Sequence, residues 1–307
     1  MAKTDFLSLL DFGRDELDEI LELSGRLKGA WREGQRDEPL RGKTLGVIFH
    51  KPSLRTRLSF EVGMRQLGGE SLYITDQEIG FGQREAVKDI GAVMSRFLDG
   101  IMIRTFAHAN VESLAAAASI PVINGLTDWV HPCQILSDLL TIQERALAPD
   151  GLRIAYVGDG NNVANSWIHA TQVYELDLRL ACPQGFEPSS KSIERVRRKG
   201  RGTVRILTDP REAVDGAQVV YTDTWTSMGQ EGEAVARRNA FSSYQVNDEL
   251  LKAAHPEAIV MHCLPAHRGD EITDGVIDGP QSVVYDQAEN RMHCQKGILL
   301  HCLGESR

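Results

Sequence analysis

Residues 44–69 read TLGVIFHKPSLRTRLSFEVGMRQLGG. The stretch opens with an apolar run, Leu45 to Phe49, short enough for a buried strand. It breaks at Lys51-Pro52 and resumes at Ser53, a good N-cap residue. Apolar positions then recur at helical spacing (Leu58 and Val62; Phe60, Met64 and Leu67) until Gly68-Gly69 stops them. The reading is strand, tight turn, helix, with Ser53, Arg55, Thr56 and Arg57 at the turn. The first N–H groups of a helix lack partners and its dipole favours an anion there, so such a turn suits a phosphate. Two hydroxyls add donors, and two guanidinium groups add charge in a fork geometry. Taken alone, the turn is equally an ordinary N-cap followed by solvated basic residues.

The same strand-then-helix unit repeats along the chain. Upstream, residues 13–28 form an amphipathic helix through Leu17, Ile20, Leu21, Leu23 and Leu27, and a polar connection covers 29–42. Downstream, SLYIT (71–75) reads as a second strand and DQEIGFGQR (76–84) as a loop. A helix over 85–99 leads to a third strand, IMIRT (101–105), with Arg104 at its end. A helix over 111–119 leads to a fourth, PVINGL (121–126). His131-Pro132-Cys133-Gln134 then opens a helix carrying Ile135, Leu136, Leu139, Leu140 and Ile142. In an open parallel sheet the ligand crevice lies beyond the C-terminal strand ends. Ser53, Arg55, Arg57, Arg104, His131 and Gln134 all follow predicted strands, which places them at one sheet edge.

APDG (148–151) is turn-rich and marks a boundary between domains 1–148 and 149–307. LRIAYVGDGNNVANSWIHA (152–170) is again strand, turn, helix. It offers part of a dinucleotide fingerprint, Gly158-x-Gly160, but Val163 stands where the third glycine belongs. The next strand, LRLAC (178–182), does not end in the acid expected for a ribose. Asn161 and Asn162 at the helix start can donate to a small carboxylate instead. Strand 203–207 and a short helix at 210–216 follow. QVVYTDTWTSMGQE (218–231) reads as a strand ending at Asp223, then a loop through Ser227 and Met228. Residues 232–257 are polar and helical in part. AIVMHCLP (258–265) is a strand ending in His262-Cys263-Leu264-Pro265, SVVYD (282–286) a last strand, and AENRMHCQKGILLHCL a final helix opening near Arg291. The expected fold class is α/β: two doubly wound parallel-sheet domains with a cleft between them, the last helix (about 287–303) returning to the first.

Composition narrows the function. A chain of 307 residues suits two domains, and 42% hydrophobic with 25% charged residues is ordinary for a soluble enzyme. A net charge of −9 gives no footprint for nucleic acid. Five widely spaced cysteines without a C-x-x-C pair argue for a reducing compartment. The acidic N-terminus lacks a signal-peptide core and no apolar run is long enough for a membrane span, so a cytoplasmic location is expected. His131, Cys133, His262 and Cys263 fit no usual zinc spacing, and no metal or cofactor is expected. A Cys-His hydrolase leaves the arginines unexplained.

Four motifs occur in order: Ser53-Leu54-Arg55-Thr56-Arg57, His131-Pro132-Cys133-Gln134, Asp223-Thr224-Trp225-Thr226-Ser227-Met228-Gly229 and His262-Cys263-Leu264-Pro265. Together they resemble the motif set of the aspartate/ornithine carbamoyltransferase family over nearly the whole chain. The Ser-Met-Gly motif with its upstream Asp points to ornithine rather than aspartate. The resemblance implies transfer of a carbamoyl group from carbamoyl phosphate to the δ-amine of ornithine, in arginine biosynthesis or catabolism. It implies that Ser53, Leu54 (by its N–H), Arg55, Thr56 and Arg57 hold the phosphate, and that Arg104, His131 and Gln134 hold the carbamoyl group. Arg291 is implied to reach carbamoyl phosphate from the second domain. Asn162 and the Met228 backbone take the ornithine α-carboxylate, and Asp223 and Ser227 the α-amino group. Cys263 and the Leu264 carbonyl lie near the reacting amine and carbamoyl phosphate. Arg104, His131 and Cys263 are the implied catalytic residues. The family forms trimers in which a neighbouring chain reaches into the site, and Gln83 is the candidate for that reach. One departure stands out: the second position of the first motif is commonly Thr, and here it is Leu54. A carbamoyltransferase for another amine, a nicotinamide-dependent dehydrogenase and a non-catalytic sensor are the alternatives.

Overall fold

The structure is a computed structural model that describes residues 3–80, 84–227, 229 and 231–304. The chain divides into two compact units, Met1–Leu140 with Glu289–Arg307, and Thr141–Ala288.

The first unit runs α1 (Arg14–Arg32), β1 (Thr44–Phe49), α2 (Leu54–Gln66), β2 (Glu70–Thr75), α3 (Asp76–Ile79), α4 (Val87–Phe97), β3 (Gly100–Arg104), α5 (His108–Ala117), β4 (Val122–Leu126) and into α6 (Pro132–Glu144). Its four strands are parallel in the order β2-β1-β3-β4. Ile48, Ile101, Ile103 and Val122 are buried against Ile90 of α4 and Val111 and Leu114 of α5. Strands β1, β3 and β4 therefore read as largely apolar runs, as strands covered on both faces do, whereas the edge strand β2 alternates in burial. Expected as loop, residues 76–79 instead form a helical turn. Thr75 and Glu78 make a reciprocal capping box, and that local pairing settles the conformation.

The second unit runs β5 (Arg153–Val157), α7 (Asn162–Val173), β6 (Asp177–Ala181), α8 (Ser190–Lys199), β7 (Thr203–Leu207), α9 (Pro210–Val214), β8 (Val219–Thr222), α10 (Ala234–Phe241), α11 (Asp248–Leu251), β9 (Ile259–His262), α12 (Asp274–Ile277) and the start of α13 (Val284–Leu303). Its five parallel strands lie in the order β7-β6-β5-β8-β9. Val157, Val220 and Val260 pack with Val214, Phe241 and Ile277.

The strand expected at 282–286 does not form. Ser282 makes one bridge to Val260, and α13 begins at Val284. The apolar pair Val283-Val284 is buried as a strand's would be. It is too short to continue a ladder, and Asp286 suits a first helical turn. From Glu289 onward α13 belongs to the first unit, where it lies close to α1 and α2. A Cβ at Gly297 would meet Ser24 Oγ and would lie 2.9 Å from the Ile20 carbonyl, so only glycine permits that approach. Lys28 Nζ donates to Asn290 Oδ1 at 2.6 Å on the same seam. This corrects one expectation: Arg291 comes from the C-terminal stretch of the chain but belongs to the first unit.

Candidate active site

In each sheet the strand order reverses beside the first strand, between β1 and β3 and between β5 and β8. Such switch points open a crevice at the C-terminal strand ends. The motif residues gather there.

In the first unit, Ser53 caps α2: its Oγ accepts from the Thr56 N–H at 3.4 Å and lies 3.1 Å from Thr56 Oγ1. Thr56 is fully buried, and its Oγ1 accepts from Arg291 Nη2 (2.8 Å) and Arg104 Nη1 (3.4 Å). His131, after β4, is buried nearby. Burial, then the Arg291 and Arg104 charges, push its pKa well below the usual histidine range, so the ring is neutral. Gln134 Nε2 donates to Asp138 Oδ1 at 2.8 Å. Among the described residues, the buried donor Arg55 Nε and the buried acceptor Gln134 Oε1 make no hydrogen bond. A helix N-terminus, three guanidinium groups and an amide oxygen lacking a donor form a site for an anion that also carries an N–H. Lys51 Nζ holds Asp128 at 2.5 Å and lies 4.4 Å from the Phe106 ring centroid, tying together the loops after β1, β3 and β4.

Two predicted residues behave differently. Arg57 donates from Nε to Glu61 Oε1 (2.9 Å) and lies over the Tyr73 ring (4.1 Å), along α2 and toward β2. The Leu54 side chain is 69% exposed, so only its backbone belongs to the helix N-terminus. Gln83 and Met228 lie outside the described residues.

In the second unit, Asn161 is the hub. Its Oδ1 caps α7 by accepting from the N–H groups of Val163 (2.9 Å) and Ala164 (3.2 Å), and it also accepts from Tyr156 OH (3.1 Å). With the oxygen committed, Nδ2 faces Asp223 Oδ2 and donates at 2.8 Å. Asp223 Oδ1 accepts from the Thr224 N–H (2.8 Å) and from Cys263 Sγ (3.0 Å). A carboxylate accepts at about four sites, so Asp223 retains capacity for one more donor. Asn162 opens α7 and Ser227 follows β8; both are partly exposed. After β9, Leu264 N–H donates to His262 Nδ1 at 2.9 Å, which puts the ring proton on Nε2. Nε2 then donates to Glu271 at 3.1 Å. Leu264 takes φ +57, so this bond holds a strained turn.

Asp223, His262 and Cys263 offer ligand atoms within 4.8 Å of one another. The Asp223 oxygens and His262 nitrogens are engaged by Asn161, Thr224, Leu264 and Glu271, and Cys263 Sγ donates to Asp223 itself. The partial dinucleotide fingerprint also has an internal use. A Cβ at Gly160 would strike the Phe186–Pro188 backbone, so this glycine admits the chain's own loop.

The carbamoyl-P binding domain model of aspartate/ornithine carbamoyltransferases matches residues 4–144, and the family's Asp/Orn binding domain model matches residues 150–302. This chain belongs to the aspartate/ornithine carbamoyltransferase family. A protein of Symbiobacterium thermophilum named ornithine carbamoyltransferase is 56% identical over 299 residues, 96% of each chain. One of Syntrophus aciditrophicus with the same name is 54% identical over 97% of this chain and 98% of its own. The solved structure of ornithine carbamoyltransferase from Pyrococcus furiosus superposes with a TM-score of 0.95 at 47% identity, covering 100% of this chain and 99% of that one.

Motif reading located these residues but missed the ones that aim them. Tyr156 and Glu271 are buried side chains with no motif of their own. Asn161 was legible as a polar residue at a helix start, but its bond to Asp223 joins residues far apart in sequence.

Proposed function

We propose that this chain transfers the carbamoyl group of carbamoyl phosphate to the δ-amine of L-ornithine, releasing L-citrulline and phosphate. The observation that supports this reading is that one chain carries both a guanidinium-lined helix N-terminus around Thr56 and, in its other unit, an acid–thiol pair, Asp223 with Cys263. The α2 N-terminus with Ser53, Leu54 N–H, Arg55, Thr56 and Arg57 takes the phosphate. Arg57 leaves Tyr73 and Glu61 to do so. Gln134 Oε1 accepts from the carbamoyl N–H. Asn162 and the Met228 backbone take the amino-acid carboxylate, and Asp223 and Ser227 take its α-amino group, which selects ornithine over an amine without one.

The δ-amine attacks as the neutral base, although a free alkylamine has a pKa of about 10.4. Burial on binding lowers it. The N–C bond forms, and the carbonyl oxygen gains charge against Arg104 and neutral His131, donors worth roughly 3 kcal/mol each. The C–O bond to phosphate breaks, and the amine proton passes by way of Cys263 to the departing phosphate. Arg291 holds that phosphate together with Thr56.

The reading extends to assembly and place. Leu54 (69% exposed), Leu58 (49%) and Leu72 (53%) stand on α2 and the edge strand β2, an apolar face that a second copy of the chain covers in a trimer. From the trimer neighbour, Gln83 reaches the site. Among the described residues no cysteine is in a disulfide, in keeping with a reducing cytoplasm, and the reaction serves arginine metabolism.

Colorimetric citrulline formation from ornithine and carbamoyl phosphate tests the reading, with putrescine and an N-acylated ornithine as competing acceptors. Turnover of ornithine alone is expected. Preference for putrescine moves the acceptor site away from Asp223 and Ser227.

A further inference from the structure

Arg237, on α10, is buried and has no part in the scheme above. Its Nη1 donates both to Asp159 Oδ2 (3.0 Å) and to the Trp225 carbonyl (2.9 Å). Its Nε donates to Glu233 Oε2 at 3.0 Å, and its guanidinium lies 5.0 Å from the Phe186 ring centroid. Trp225 stacks on Phe241 of the same helix, with ring centroids 5.8 Å apart. One side chain therefore fastens the loops that follow β5, β6 and β8.

A buried ion pair gains little stability over an apolar pair of equal volume. What a guanidinium adds is a planar fork with several fixed donors. Asp159 lies just before Asn162, and Trp225 lies between Asp223 and Ser227. We propose that Arg237 is a positioning residue for the amino-acid substrate: by holding Asp159 and the Trp225 carbonyl on one nitrogen, it fixes Asn162 and Ser227 at the spacing that grips the α-carboxylate and α-amino group. This rests on the assignment of Asn162 and Ser227 to ornithine given above.

The latch is also sensitive to pH. Burial pushes the Asp159 carboxyl up to about 6, against the pull of Arg237, and the negative charges of Asp223 and Glu233 push it the same way. Acidification through that value neutralises Asp159 and weakens its hold on Arg237, so the KM for ornithine rises as the pH falls below about 6.

The test measures initial rates against each substrate for R237M, R237K, D159N and S227A, with the ornithine KM followed across the pH range. For R237M the ornithine KM is expected to rise about tenfold or more, the effect of losing a hydrogen bond to a charged group, while kcat and the carbamoyl phosphate KM stay within about twofold. R237K keeps the charge but not the fork and falls between R237M and the natural protein. D159N keeps an acceptor oxygen but does not titrate, so its ornithine KM shows no inflection near pH 6. An unchanged ornithine KM, an equal rise in both KM values, or a fall in kcat alone overturns the proposal. If R237M does not fold, R237K and the D159N profile decide. An unaffected S227A counts against the site assignment itself. A raised KM in S227A with R237M and R237K unaffected counts against Arg237 alone.

Discussion

Replacing Glu271 tests whether the turn after β9 is set by hydrogen-bond geometry. The Glu271 side chain is 0% exposed, and its Oε1 accepts from both His262 Nε2 (3.1 Å) and the His267 N–H (2.5 Å). On the other side of the ring, His262 Nδ1 accepts from Leu264 N–H at 2.9 Å, with Leu264 at φ +57. That conformation costs a non-glycine residue about 1 to 2 kcal/mol, so the turn needs its hydrogen bond. E271A leaves the buried His262 Nε2–H without an acceptor, at about 1 to 3 kcal/mol of stability, while the N–H of the exposed His267 can turn to water at little cost. E271Q keeps an oxygen at the Oε1 position and loses only charge assistance, about 1 kcal/mol. Urea unfolding measures the stability, and kcat/KM for ornithine reports the position of Cys263 and Leu264. E271A is expected to lose at least about tenfold in kcat/KM as the turn relaxes, and E271Q to stay within a few-fold. If E271Q is as damaged as E271A, the negative charge matters rather than the acceptor. If E271A is stable and active, His262 does not set the turn. Either result would mean that acceptor geometry at Glu271 does not set this turn.

Thr56→Val removes the oxygen that accepts from Arg291 and Arg104. The KM for carbamoyl phosphate should rise about tenfold while that for ornithine is unaffected, as initial rates will show. Leu58→Glu charges the exposed apolar face of α2, and light scattering should show smaller species than for the natural chain. Lys296 is buried, and desolvation and then the Arg36 charge lower its pKa from 10.5 to about 8. Between those values the unfolded chain binds the extra proton, so stability rises with pH across that window. Lys296→Met should abolish this rise in urea melts at the two ends of the window.

Much of this was legible in the amino-acid order because the information is local. The run Leu45–Phe49, the Ser53 cap and the Gly68-Gly69 stop specify β1, the turn and α2 through nearest-neighbour chemistry. Repetition of that unit implies parallel sheets, and parallel sheets put the residues after each strand at one edge. Local pattern misled at Val283-Val284, where burial in a helix and burial in a strand demand the same apolar residues. It also gave no hint that Arg57 would lie over Tyr73 rather than beside Thr56.

The order of residues along the chain specifies the two sheets, the capped helix N-terminus after β1, and the placement of the motif residues at strand ends. Tertiary structure alone decided which strands are neighbours at each reversal and which side chains orient those residues: Arg291 on Thr56, Asn161 on Asp223, Glu271 on His262, Arg237 on Trp225. The reason is physical. Capping and periodicity act over a few residues and are written in the order of the chain. A hydrogen bond between side chains dozens or hundreds of positions apart exists only once packing has brought them together.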